Sequence, residues 1–143
     1  MLTIMVLISA CGRDTSPAPL DTVNDQCRFC RMVVSDARSA SQIVSPYEEP
    51  LFFDDLSCLT SYLAATPPAS AAVIYVADHR TKAWVRADAA VFTRVNESAG
   101  AMGSHIVAHA SESSRGMDAD AVRGVIVDRS DVLPAHPGPV KKP

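Results

Sequence analysis

The chain is poor in aromatic residues: Phe, Tyr and Trp make up 6% of its 143 positions, with a single tryptophan. Its interior must therefore rest mainly on aliphatic side chains, which a 48% hydrophobic content supplies. A basic surface is also missing. The formal net charge is −3 and the one basic cluster is Lys141-Lys142, so there is no electrostatic footprint for nucleic acid. Apolar runs are short. The N-terminal one, MLTIMVLISAC, falls well below the roughly 20 residues that a membrane-spanning helix needs and carries no charged residue.

What is present divides the chain into a body and two tails. The first eleven residues match the hydrophobic part of a secretory signal, and the closing Ile-Ser-Ala-Cys resembles a bacterial lipobox, in which Cys11 would carry lipid. Residues 12–24 are polar and Pro-containing and read as a flexible tether. A Gly after the lipidated Cys resembles an outer-membrane sorting signal, which implies a periplasmic, lipid-anchored protein. A body of ordinary domain size is expected over 25–133, with a disordered tail over 134–143. Removing Cys11 from the four cysteines leaves Cys27, Cys30 and Cys58, an odd number in an oxidising compartment.

The densest chemistry lies in Cys27-Arg28-Phe29-Cys30-Arg31-Met32, which brings two thiols and a thioether within six residues. Thiolate with thioether selects Cu(I) over harder ions. Met32 to Ser35 reads as a strand that would put Cys30 and Met32 on one face, with Cys27 turned back beside them. Strands are also expected at Ala40 to Ser45, Leu51 to Phe53, Ala71 to Ala77, Lys82 to Arg86, around Val91 to Val95, at Ile106 to Ala110 and at Val125 to Val127. Asp54-Asp55 marks the start of a helix that runs to about Ala65, where Thr66-Pro67-Pro68 stops it. Cys58 falls in its first turn, where the helix dipole favours thiolate. A second helix is expected from Ser111 to about Arg123, with Met117 in its core and Gly124 as its stop. The expected architecture is α+β, two β-β-α-β units packed as one compact body.

Taken together, these residues resemble the NosL family of copper-chaperone lipoproteins, accessory to nitrous oxide reductase. Asp25-Gln26-Cys27-Arg28-Phe29-Cys30-Arg31-Met32 is similar to the family's Asp-x-Cys-x-x-Cys-Gly-Met, with Arg31 in place of Gly. Phe53-Asp54-Asp55-Leu56-Ser57-Cys58, Tyr75-Val76-Ala77-Asp78, Trp84 and Met102-Gly103-Ser104 resemble further family motifs in the same order. The resemblance implies a fold related to organomercurial lyase, no enzymatic activity, and Cu(I) held by Cys27, Cys30, Met32 and Met102. Partners implied are an apo-enzyme such as nitrous oxide reductase and a membrane ABC-type maturation complex. Cys58 and His105 are further candidate donors, His109 shares a strand face with His105, and a homodimer is open. Other readings of the same residues are a thiol–disulfide redox protein using Cys27 and Cys30, a carbon–mercury lyase, and a structural zinc site.

Overall fold

A computed structural model describes residues 14–134. The lipobox Cys11 and, of the expected tail over 134–143, all but Pro134 lie outside the described residues. Among the described residues, seven strands and three helices follow in the order β1 (Ser41–Val44), β2 (Leu51–Phe53), α1 (Leu56–Ala65), β3 (Val73–Ala77), β4 (Trp84–Arg86), β5 (Val91–Arg94), β6 (Ile106–His109), α2 (Glu112–Gly116), β7 (Val125–Val127) and α3 (Arg129–Val132). One sheet has the order β2-β1-β3-β4 and the other β6-β5-β7, with every pairing antiparallel. In each unit the first strand lies between the second and the third, so both are β-β-α-β with one topology, and β4 extends the first sheet at its edge. The expected α+β duplication is borne out at this level.

β1 is central in the larger sheet and all four of its residues are buried. Gln42 is fully buried there, and its side-chain amide is satisfied by Ala18, whose N–H donates to Oε1 at 2.9 Å and whose carbonyl accepts from Nε2 at 3.1 Å. The Tyr75 hydroxyl donates to the Thr15 carbonyl at 2.8 Å. Part of the segment expected as a free tether is therefore docked on the sheet, because a buried amide must find partners.

Leu56, Cys58, Leu59 and Leu63 form the buried face of α1, and Tyr62 packs on Phe53 with ring centroids 5.2 Å apart. α3 is anchored to α1 where the Thr60 hydroxyl donates to the Val132 carbonyl, and Leu133 is buried behind it. Phe53 and Leu59 from the first unit share one core with Phe92, Ala108 and Leu133 from the second.

Three expectations are corrected. Met32 to Ser35 forms no strand; one isolated bridge, Gln26 to Val33, closes a tight turn instead. The second helix ends at Gly116 rather than near Arg123, because the Asp118 carboxylate accepts the Asp120 N–H at 3.0 Å and draws the backbone into turns. Met117, expected in a helix core, caps that short helix and is 62% exposed.

Candidate metal centre

The Cys27 segment is a knuckle. Cys27 N–H donates to the Met32 carbonyl at 2.8 Å, Arg31 N–H to the Cys27 carbonyl at 3.0 Å, and Val34 N–H to the Asp25 carbonyl at 2.9 Å. Arg31 sits at φ 68°, the left-handed region that glycine enters cheaply and other residues enter at a cost. Arg28 N–H donates to the Phe52 carbonyl at 2.7 Å, which fastens the knuckle to β2. β2 leads directly into α1, so Cys58 in the first turn of that helix arrives beside the turn.

The result is a group of three free thiols, Cys27, Cys30 and Cys58, with sulfur atoms within 4.8 Å of one another. Tetrahedral thiolates at about 2.3 Å from a metal lie roughly 3.8 Å apart, so closing on one ion needs only small side-chain adjustments. Cys27 and Cys58 are buried and Cys30 is partly exposed, which leaves one edge of the group open to solvent.

The three thiols differ electrostatically. Burial pushes the Cys27 thiol up, but N–H groups of Cys30, Asp54 and Phe29 turned toward its sulfur more than offset this, and its pKa is lowered. Burial raises Cys30, helped by the neighbouring Cys27. Cys58 is raised further, first by burial, then by hydrogen bonding and charge from Cys27 and by the Asp55 charge. The expected dipole stabilisation of a Cys58 thiolate is thus corrected: its N–H is already taken by Asp55, and burial beside Cys27 dominates. Cys27 is thus the thiol that gives up its proton most readily, and Cys30 and Cys58 hold theirs more tightly.

Asp55 connects this group to the Met102 loop. It is fully buried; Oδ1 accepts the Cys58 N–H at 3.0 Å, while Oδ2 accepts the Met102 and Ser104 N–H groups at 3.0 and 3.2 Å. Gly100 makes room for it, since a Cβ there would lie 2.5 Å from Asp55 Oδ2. Next to it, Asp54 is buried with Oδ1 unpartnered, and its pKa is raised by burial and by Asp55.

Of the residues singled out by sequence, Cys27, Cys30 and Cys58 come together. Met32 and Met102 are 46% and 45% exposed, the first at the end of the knuckle and the second on the loop held by Asp55. His105 is exposed ahead of β6 and stands apart from the thiols. His109 is fully buried rather than exposed with His105, because it ends β6 and turns inward to Asp118. Sequence reasoning missed His79 and Asp118; Asp118 meets His79 and His109 across separations of 39 and 9 residues that no spacing motif spans. It also missed the bridging role of Asp55, which it read as part of a helix cap.

The NosL family model matches residues 18–136. The chain belongs to the NosL family. No match was found among curated proteins. Among solved structures, the chain is similar to the copper chaperone NosL from Shewanella denitrificans, with a TM-score of 0.61 and 16% identity over 85% of this chain and 98% of that one. At that identity the likeness establishes the NosL fold and leaves donor residues to be argued from this chain's own geometry. Among the described residues, no helix is long and apolar enough to cross a membrane.

Proposed function

We propose that this NosL-family protein is a copper chaperone rather than an enzyme, carrying Cu(I) on Cys27 and Cys30 with Cys58, and using Met32 and Met102 as exchangeable surface donors. The convergence of three free thiols carries the reading. Sulfur donors prefer a soft monovalent ion. Cys27, the most readily deprotonated of the three, supplies the first bond, and the open edge at Cys30 lets an incoming protein displace donors one at a time. Half-exposed thioethers on a turn and on a loop suit the first and last steps of such an exchange.

The finer reading is that Cys11 is lipidated, that the protein hangs from the periplasmic face of the outer membrane, and that its client is nitrous oxide reductase, reached with an ABC-type membrane partner. It rests on the lipobox-like Ile-Ser-Ala-Cys and on family membership. Mass spectrometry of protein from membranes tests the first part, with a diacylated or triacylated Cys11 expected. Copper transfer to the apo-reductase tests the last.

Titration of the reduced protein with Cu(I) against a competing chelator tests the site. One tightly held ion per chain is expected, with affinity lowered in Met32→Ala and Met102→Ala. Because burial raises the Cys30 and Cys58 thiols, binding displaces at least their two protons, and affinity should fall by about a hundredfold or more per pH unit as the buffer is acidified. Affinity that ignored pH would remove thiolate ligation and the proposal with it. The thiol–disulfide reading is favoured by the Cys27-x-x-Cys30 spacing and the lowered Cys27 pKa, and it leaves Cys58 without a role. Insulin reduction that depended on Cys27 and Cys30 would revive it.

A further inference from the structure

Separate from the three thiols is a second group of ligating atoms, made of oxygen and nitrogen instead of sulfur. His79 Nδ1 lies 2.7 Å and His109 Nε2 2.9 Å from the same carboxylate oxygen, Asp118 Oδ2. All three residues are buried, His109 completely. Asp118 Oδ1 is held by the Asp120 N–H. His79 is fixed by its own N–H, which donates to the Ala108 carbonyl at 2.9 Å on β6, and by the preceding Asp78, whose Oδ2 accepts the Ala110 N–H and the Ser114 hydroxyl. Three ligating side chains are thus aimed at one point by three separate stretches of chain.

Two imidazoles converge on one oxygen atom, a load that a carboxylate oxygen can accept as two hydrogen bonds. The same two nitrogens and one carboxylate oxygen, all from buried residues and within 4.8 Å of one another, are also a complete three-donor set for a metal ion. We infer that His79, His109 and Asp118 form a second metal site that takes one divalent borderline cation of the Zn(II) class, distinct in chemistry from the sulfur group.

The donor set supports that class. Two neutral imidazoles and a carboxylate suit Zn(II) and its neighbours and offer nothing to select Cu(I). Ligands at about 2.0–2.1 Å from a tetrahedral ion lie roughly 3.3 Å apart, so the present 2.7 and 2.9 Å contacts would open by about half an ångström on binding. His79 also lines a cavity of about 520 Å³, together with the acidic Asp36, Glu97 and Asp120 and the basic Arg38 and Arg123. The cavity gives an ion a way in to the His79 side of the group. The ion would join the β3–β4 turn of the first unit to β6 and the chain after α2 in the second, so occupancy should stabilise the whole body.

The test uses the full chain with Cys27, Cys30 and Cys58 replaced by Ser, its fold checked by circular dichroism. One Co(II) per chain is expected, with ligand-field absorption and no intense thiolate charge-transfer band. Zn(II) at a hundredfold excess over its Kd should raise Tm by roughly 5–10 °C. Adding Asp118→Asn or His109→Gln should abolish the Co(II) spectrum and the Tm shift. If the triple variant does not fold, the wild-type chain serves: Asp118→Asn is expected to bind one Zn(II) fewer per chain than wild type. No bound Co(II) in the triple variant, a Tm shift that survives Asp118→Asn, or equal Zn(II) in wild type and Asp118→Asn overturns the inference. The outcome is independent of whether the sulfur group carries copper.

Discussion

The two β-β-α-β units start their helices alike and place different elements there. In the first, Asp55 caps α1 by accepting the N–H of Cys58 at 3.0 Å; in the second, Ser111 caps α2 by accepting the N–H of Ser114 at 3.1 Å. Cys58 and Ser114 are each the third residue of their helix and each is buried. Cys58 turns its sulfur to Cys27 and Cys30, whereas the Ser114 hydroxyl donates to Asp78 Oδ2 at 2.7 Å, one residue from His79. The same structural position thus joins a sulfur cluster in one unit and supports the chain beside a nitrogen and oxygen cluster in the other. Topology aims the side chain inward, and one atom, sulfur or oxygen, decides the chemistry that follows.

The units also differ in how much they bury. α1 has ten residues with four buried, whereas α2 has five with one, and the separate small core of the second unit is Val95, Val107 and Ala121. Polar anchoring replaces apolar packing in the second unit. Arg115 Nε donates to the Thr93 hydroxyl, and Asp78 gathers the Arg80, Thr81 and Ala110 N–H groups with the Ser114 hydroxyl.

Exchanging the deciding atom is the sharpest way to break this comparison. Cys58→Ser should lower Cu(I) affinity by more than the roughly 10–100-fold that losing a supporting contact around a metal costs. Chelator competition measures it, and an unchanged affinity would reduce Cys58 to a packing residue. The caps should prove unequal as well. Asp55→Ala removes a cap and two loop contacts and should cost about 2–3 kcal/mol in urea unfolding, while Ser111→Ala should cost about 1 kcal/mol. Equal losses would mean that the Met102 loop is not held through Asp55.

Acid should find the second unit first. Burial alone would raise Asp78, but the Ala110 N–H, the Ser114 hydroxyl and Thr81 hold it down to about 2. A carboxylate depressed in the folded state stabilises fully above its unfolded value and loses that contribution as pH falls through the folded one. Roughly 2 kcal/mol should therefore disappear between about pH 4 and pH 2, and Asp78→Asn should flatten that part of the stability profile. The smallest effect is expected at the knuckle. Arg31→Gly removes left-handed backbone strain and should stabilise by about 1 kcal/mol with Cu(I) affinity unchanged or improved.

Much of the first unit was legible because its signals are local. The cap at Asp55, the Leu56, Leu59 and Leu63 spacing and the Thr66-Pro67-Pro68 stop all act within one helix. The second helix misled because its Ser-rich start is a good cap, while the device that ends it, the Asp118 side chain, is recruited by residues distant in sequence. Met32 misled for a related reason. A β-branched pair after a cysteine cluster suggests extension, yet the hydrogen bond from Cys27 N–H to the Met32 carbonyl makes a turn.

Local order of residues was enough to determine the strands and α1, the pairing of Cys27 with Cys30 and the inward face of α1, since periodicity and capping depend on near neighbours. Tertiary structure alone decided that Cys58 joins those two thiols, that one carboxylate ties their helix to the Met102 loop, and that His79, His109 and Asp118 share a point in space. Those meetings depend on how two sheets and their crossing segments close around one core, and no short window of sequence contains that information.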